Sequence, residues 1–296
     1  MKTRTKVLLF LGSWIVLMIA VGVIFGSKRT TSSFLPQNEF KLDAWINLPG
    51  PLDINKAVLY LVLAAGLTIG TMLYVARRMQ QRPNRVQTAV ETLYVTMRDN
   101  ITRGNMDDQM AVKWFPFIGA LFLFIWYSNL IGYIPLPTNT QETFNFLGVE
   151  VPAFALYAAT ANLSVPLALA LVVFISFNVE GIRAKGFVGY MKSLIPAGVH
   201  GVAAIPLFLL ELMSTGMRLI SLSVRLFANI LAGHLIILFM SGGLAVLLGL
   251  EWVGVLAFPL GVALFLFEVG LVATLQAFIF ATLSAIYIGG AVAESH

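Results

Sequence analysis

The chain has 296 residues, of which 58% are hydrophobic and only 11% charged, and its mean hydropathy is +0.87. That composition excludes a soluble globular domain, and unbroken apolar runs of about 20 residues or more exclude a β-barrel. The absence of Cys removes disulfides and thiolate metal sites, and the net charge of +5 lies between apolar runs, as membrane topology requires and nucleic-acid binding does not.

The expected fold is all-α, a polytopic helical membrane protein with five to six membrane segments. Val7 to Gly26 is uncharged and follows Lys2, Arg4 and Lys6. It reads either as an N-terminal membrane helix or as a signal segment over 1–26. A polar stretch from Ser27 to Lys56 precedes a second span, Ala57 to Ala76, closed by Arg77 and Arg78.

Pro83 to Lys113 is the most charged part of the chain. Val86, Val90, Leu93 and Val95 or Met97 recur there at near-helical spacing, which predicts an amphipathic helix at the interface. Trp114 to Pro135 is the third span, with Trp126, Tyr127 and Tyr133 read as interface anchors. Thr138 to Thr160 reads as a loop, and Ala161 to Val179 as the fourth span.

Two long apolar segments follow, Val202 to Leu248 and Val253 to Ala293. Each exceeds the roughly 20 residues that cross a bilayer vertically, so each is either broken or strongly tilted. Residues 27–296 read as a single membrane domain ending in a long helical hairpin, 202–293. With the N-terminus in the cytoplasm, the inner segments hold 13 Lys and Arg and the outer ones 4. That asymmetry predicts both termini inside.

Arg225 lies in the first long segment, and from Leu226 to Leu250 the only ionisable residue is His234. Arginine at bilayer depth costs from about 3 to more than 10 kcal/mol and normally faces protein or a water-filled cavity. The default expectation is therefore an ion or proton pathway. Glu211, Arg218 and Arg225 are spaced by seven, so they share one helix face, with Ser214, Ser221 and Asn229 near it. His234 lies nine residues beyond Arg225, on the opposite face. One helix flanked by two separate aqueous paths would show that pattern. Arg218 and Glu211 also read as a simple ion pair. In the second long segment Glu268 is the lone carboxylate of an uncharged run, and Gln276 follows it. Imidazole and a buried carboxylate make a plausible proton relay.

SLSVRLFANILAGHL resembles the SLxLRLFGNxxAG signature of subunit a of F-type ATP synthases. FEVGLVATLQAFIFATLSAIYIGGAVAESH, WFPFIGALFLFIWYSNLIGYIP and TANLSVPLALALVVF resemble three further segments of that family. The four motifs keep family order from about residue 86 to the end. The resemblance implies a proton-conducting stator; no phosphate loop or other nucleotide site appears, so it is expected not to be a catalyst itself, and no cofactor or metal is expected. Its implied partners are a c-subunit ring, b-type peripheral stalk subunits, the rest of the ATP synthase complex and the lipid bilayer. Its implied location is the bacterial plasma membrane or, as the other possibility, a thylakoid. The family's essential arginine falls on Arg225, its asparagine on Asn229 and its final-helix glutamine on Gln276. Glu211, Ser214 and Arg218 take the positions of the cytoplasmic access path, and His234 takes a position that is Glu or His in the family. Members with His place the partner acid seven residues before the glutamine. Here that position is Val269 and the acid is Glu268, eight before, so the His234–Glu268 pairing stays open. Ala228 stands where the family usually has Gly, and Asn162 where it usually has Asp. From a different class, a secondary proton-coupled transporter would show an internal repeat and a midplane site, and neither is visible.

Overall fold

The computed structural model describes residues 42, 44–46, 54–78, 85–146, 149–195, 199, 201, 204–240 and 251–293. The predicted first segment, Val7 to Gly26, lies outside the described residues. Among the described residues, five helices are long and apolar enough to cross a membrane: Lys56–Arg77, Asp108–Ile131, Ser164–Lys185, Ala204–Leu238 and Ala257–Val292. They match the five spans expected between Ala57 and Ala293.

The helices are α1 (Lys56–Arg78), α2 (Arg85–Val95), α3 (Asp108–Ile131), α4 (Ser164–Lys185), α5 (Phe187–Ser193), α6 (Ala204–Leu238), α7 (Glu251–Phe267) and α8 (Ala273–Val292). Between α2 and α3 the chain runs through a π-helical stretch, Thr96–Thr102, and one helical turn, Arg103–Asn105. Strands β1 (Ala44–Ile46) and β2 (Ile54–Asn55) form a small antiparallel pair. The segment read as a loop after α3 instead holds an antiparallel hairpin, β3 (Leu136–Phe146) with β4 (Val149–Ala155). Its register pairs Phe144 with Val151 and Phe146 with Val149, residue types that favour strands.

The chain divides into two compact units. The described part of one is 235–240 and 251–266, where Gly261 lies against Met240. The other runs from residue 39 to 234 and from 267 onward, and it contains most of the core. That core joins Ile118, Phe122 and Ile125 of α3, Val173 and Phe177 of α4, Leu226 and Ile230 of α6, and Phe280 and Ile288 of α8. Lipid tails are as apolar as Leu, so helices in a membrane associate through close packing of small side chains. Helix α8 carries such a stripe: Ala273, Ala277, Ala281 and Ala285 recur every four residues, and none is exposed. Gly289 continues it, and a Cβ there would collide with the Asn105 carbonyl oxygen.

The amphipathic helix predicted near residue 86 is present as α2, and part of its apolar side packs on the rest of the protein. Leu93 packs on the core, and Met97 and Ile101 of the following π stretch are buried in it. Tyr94 meets Phe115 of α3 edge to face, with centroids 4.8 Å apart.

Helix α6 is unbroken over 35 residues. That is about 52 Å at 1.5 Å per residue, against a hydrocarbon layer of roughly 30 Å. It therefore crosses the layer obliquely or runs beyond it. Gly216 and Gly233 do not break it. The last span is interrupted by a π-helical turn at Glu268–Val272.

Candidate functional site

Helix periodicity puts Arg225 and His234 on opposite faces of α6, and the structure agrees. Arg225 is exposed, together with Ser214, Ser221, Val224, Ala228 and Asn229. Among the described residues Arg225 has no ion-pair or hydrogen-bond partner. His234, by contrast, is 1% exposed. It faces a carbonyl with each ring nitrogen: Nδ1 lies 3.0 Å from the Ile230 oxygen and Nε2 3.2 Å from the Gly132 oxygen.

Glu268 approaches the same place from the other long segment. The π turn accommodates one extra residue in the helix. Eight residues through that turn therefore rotate about as far as seven through uniform α-helix. Glu268 thus reaches the face that an acid seven residues before Gln276 would occupy in an uninterrupted helix. Its carboxylate rests against Gly233, where a Cβ would overlap it. No hydrogen bond joins Glu268 to His234 among the described residues.

Tyr133 stands between them. Its O–H donates to Glu268 Oε2 at 3.1 Å, and its ring stacks on the His234 imidazole with centroids 4.6 Å apart. Tyr133 is 3% exposed, so the reading of it as an interface anchor is corrected: it is an interior polar residue. Trp126 and Tyr127 are likewise tied to neighbouring helices. Trp126 Nε1 donates to Thr274 Oγ1 at 3.0 Å, and the Tyr127 and Thr71 hydroxyls are 2.7 Å apart.

Asn129 fixes the end of α3 against α8. Its amide donates to the Ala273 oxygen at 3.2 Å and accepts from Thr160 Oγ1 at 2.8 Å. Gln276 is buried on α8, and no hydrogen bond joins it to Arg225 among the described residues. Asn162 acts locally, accepting from the Ser164 amide as α4 begins.

At the other end of α6, Arg218 and Glu211 form a partly exposed ion pair at 3.2 Å. The Arg218 guanidinium also lies 5.4 Å from the centre of the Tyr287 ring. Tyr190 belongs to this group, donating to Asn178 Oδ1 at 3.0 Å. Burial raises the Tyr190 phenol above its ordinary value, with Arg218 opposing and Glu211 adding. Ser214 is exposed on the same helix. The sequence reading missed Tyr190 and Asn178, since neither carries a motif or a charge.

Two polar clusters on one long helix, with an exposed arginine between them, define a polytopic membrane protein of the ion-conducting kind. A family model described as ATP synthase A chain matches residues 58–289. The chain belongs to that family. It is 35% identical over 252 residues to an ATP synthase subunit a of Nocardioides sp., covering 83% of this chain and 84% of that one. It is 36% identical over 239 residues to an ATP synthase subunit a of Rubrobacter xylanophilus, covering 80% and 83%. A third, from Hyphomonas neptunium, is 32% identical over 269 residues, covering 88% and 97%. The match begins at residue 58, not near 86, and so takes in α1.

Proposed function

We infer that this chain is the proton-conducting stator subunit of a rotary F-type ATP synthase, forming the two half-channels that carry protons to and from a ring of c subunits. The observation that carries the reading is the separation of Arg225 from His234 and Glu268 on opposite sides of α6. Arg225 is the group facing the ring. Arginine stays charged in apolar surroundings, because its pKa exceeds about 12. Beside a ring carboxylate it favours the ionised form and so releases a proton. Away from Arg225, in lipid, the carboxylate must be protonated before it moves on. The fixed charge also blocks a direct leak between the half-channels. A potential of 100 mV contributes about 2.3 kcal/mol per proton, and directed rotation collects it.

His234 and Glu268 belong to the outer half-channel. Glu211, Ser214 and Arg218 belong to the cytoplasmic one. Asn229 and Gln276 flank the arginine region. The partners are the c ring, b-type peripheral stalk subunits and the bilayer, and the setting is a bacterial plasma membrane. Residues 27–296 act as one membrane domain. The subunit is non-catalytic, since its sequence holds no GxxxxGK[ST] phosphate loop.

The test is ATP-driven proton pumping and passive leak in vesicles carrying Arg225→Ala in the assembled complex. Loss of coupled pumping with the complex intact is the expected result. Normal pumping would return Arg225 to a structural role.

A further inference from the structure

We propose that Tyr133 is a positioning residue of the outer proton path, seating His234 with its ring and holding Glu268 with its hydroxyl. The proposal rests on the stator reading above and adds a residue to it.

Geometry makes a bridging residue necessary. Both His234 nitrogens face backbone carbonyl oxygens, at 3.0 and 3.2 Å, so in either tautomer the ring N–H is directed at a carbonyl and not at Glu268. Glu268 in turn lies in the notch left by Gly233, one residue from His234. The two groups are adjacent, yet among the described residues no hydrogen bond joins them directly. Tyr133 meets both at once, with its phenol oxygen 3.1 Å from Glu268 Oε2 and its ring 4.6 Å from the imidazole.

The residue type fits the task. A tyrosine has a flat apolar face and a hydroxyl fixed at its far end. Phenylalanine would keep the face and lose the donor. The preceding residue adds to the arrangement, because the Gly132 carbonyl is the partner of His234 Nε2. One turn at the end of α3 therefore sets both members of the outer pair: its backbone orients the histidine and its side chain orients the carboxylate. A Cβ at Gly132 would overlap Ala158, which holds that turn in place.

The bond occupies Oε2 and leaves Oε1 as the carboxylate oxygen that takes up and releases a proton. Tyr133 keeps its own proton throughout, so Glu268 gains and loses the transported one at Oε1.

The experiment is Tyr133→Phe in the complete complex, read two ways. ATP-driven proton pumping should fall about ten-fold, the scale of one hydrogen bond to a charged group. The infrared carboxyl band of Glu268, assigned by its loss in Glu268→Gln, should shift in frequency. An unchanged band overturns the proposal, because it means the hydroxyl does not bond Glu268. Unchanged pumping overturns it as well. Failure of this idea is separable from failure of the stator reading. If Arg225→Ala abolishes coupled pumping while Tyr133→Phe does nothing, only the role of Tyr133 falls. If Arg225→Ala pumps normally, the stator reading falls.

Discussion

The Glu268 carboxylate occupies the space that a side chain at Gly233 would take. Those two residues come from the two long segments of the chain, and their contact fixes where the acid sits relative to His234. A methyl at 233 would meet the far end of a flexible side chain, which can swing aside. Gly233→Ala should therefore leave thermal stability within about 1 kcal/mol and still displace Glu268 from Tyr133. Proton flow should drop while complex yield stays normal. Undiminished pumping in that variant would show that the position of Glu268 does not matter.

A different glycine is closed for a different reason. A Cβ at Gly289 would strike the Asn105 carbonyl, and backbone gives way less readily than a side-chain tip. Gly290, its neighbour, has open space. Gly289→Ala should destabilise the folded subunit by about 1–3 kcal/mol. Gly290→Ala should be neutral or stabilising by up to about 1 kcal/mol, through helix propensity. Thermal unfolding in detergent distinguishes them, and equal effects would refute the close approach of α8 to residue 105.

Lys113 of α3 and Glu180 of α4 form an ion pair in which Glu180 is buried and Lys113 half-exposed. Glu180 Oε2 has no further hydrogen-bond partner among the described residues. Removing the lysine leaves a buried carboxylate without its charge partner. Lys113→Met should cost about 1–3 kcal/mol, less than for a fully buried pair because solvent reaches the half-exposed lysine. The double variant Lys113→Met with Glu180→Met should recover most of that loss, because no buried charge remains. Chemical or thermal unfolding of the three variants closes the cycle. A double variant as unstable as the single would contradict the argument.

Glu211 is 40% exposed where Glu180 is 7%, so the two roles weighed for the Arg218–Glu211 pair can be separated. A partly solvated pair contributes at most about 1 kcal/mol. Glu211→Gln should barely move the unfolding transition. If Glu211 belongs to the cytoplasmic half-channel, the same variant slows pumping several-fold. Unaltered pumping together with unaltered stability would leave Glu211 only a minor ion-pair role.

Much of this was legible in sequence because a membrane forces long apolar runs and a helix forces a period of 3.6. Those two rules located the described spans and put Arg225 opposite His234. They could not find the role of Tyr133, whose partners His234 and Glu268 lie 101 and 135 residues away along the chain. An aromatic ring at the end of an apolar run also has a commoner explanation, an anchor at the interface. The π turn at Glu268 has no local sequence signal, so an eight-residue spacing looked like a departure when the backbone absorbs it. The hairpin at 136–155 carries Pro137 and Pro152 and lacks a two-residue Asn-Gly turn, and it therefore passed for a loop.

The exposed face of α6 yields a final prediction, which tests the orientation of the helix against its ring. Ser221, Val224, Ala228 and Asn229 are exposed beside Arg225, while Leu222, Leu226 and Ile230 are buried in the core. Cysteines at 221, 224 and 228 should crosslink to cysteines on a c subunit in the assembled complex. Cysteines at 222, 226 and 230 should not, because those positions are buried in the core. The expected pattern repeats every three to four residues, as a single helical face requires. Crosslinking confined to the second set would mean that α6 presents the opposite side to the ring. Arg225 would then face away from the carboxylates it is meant to discharge.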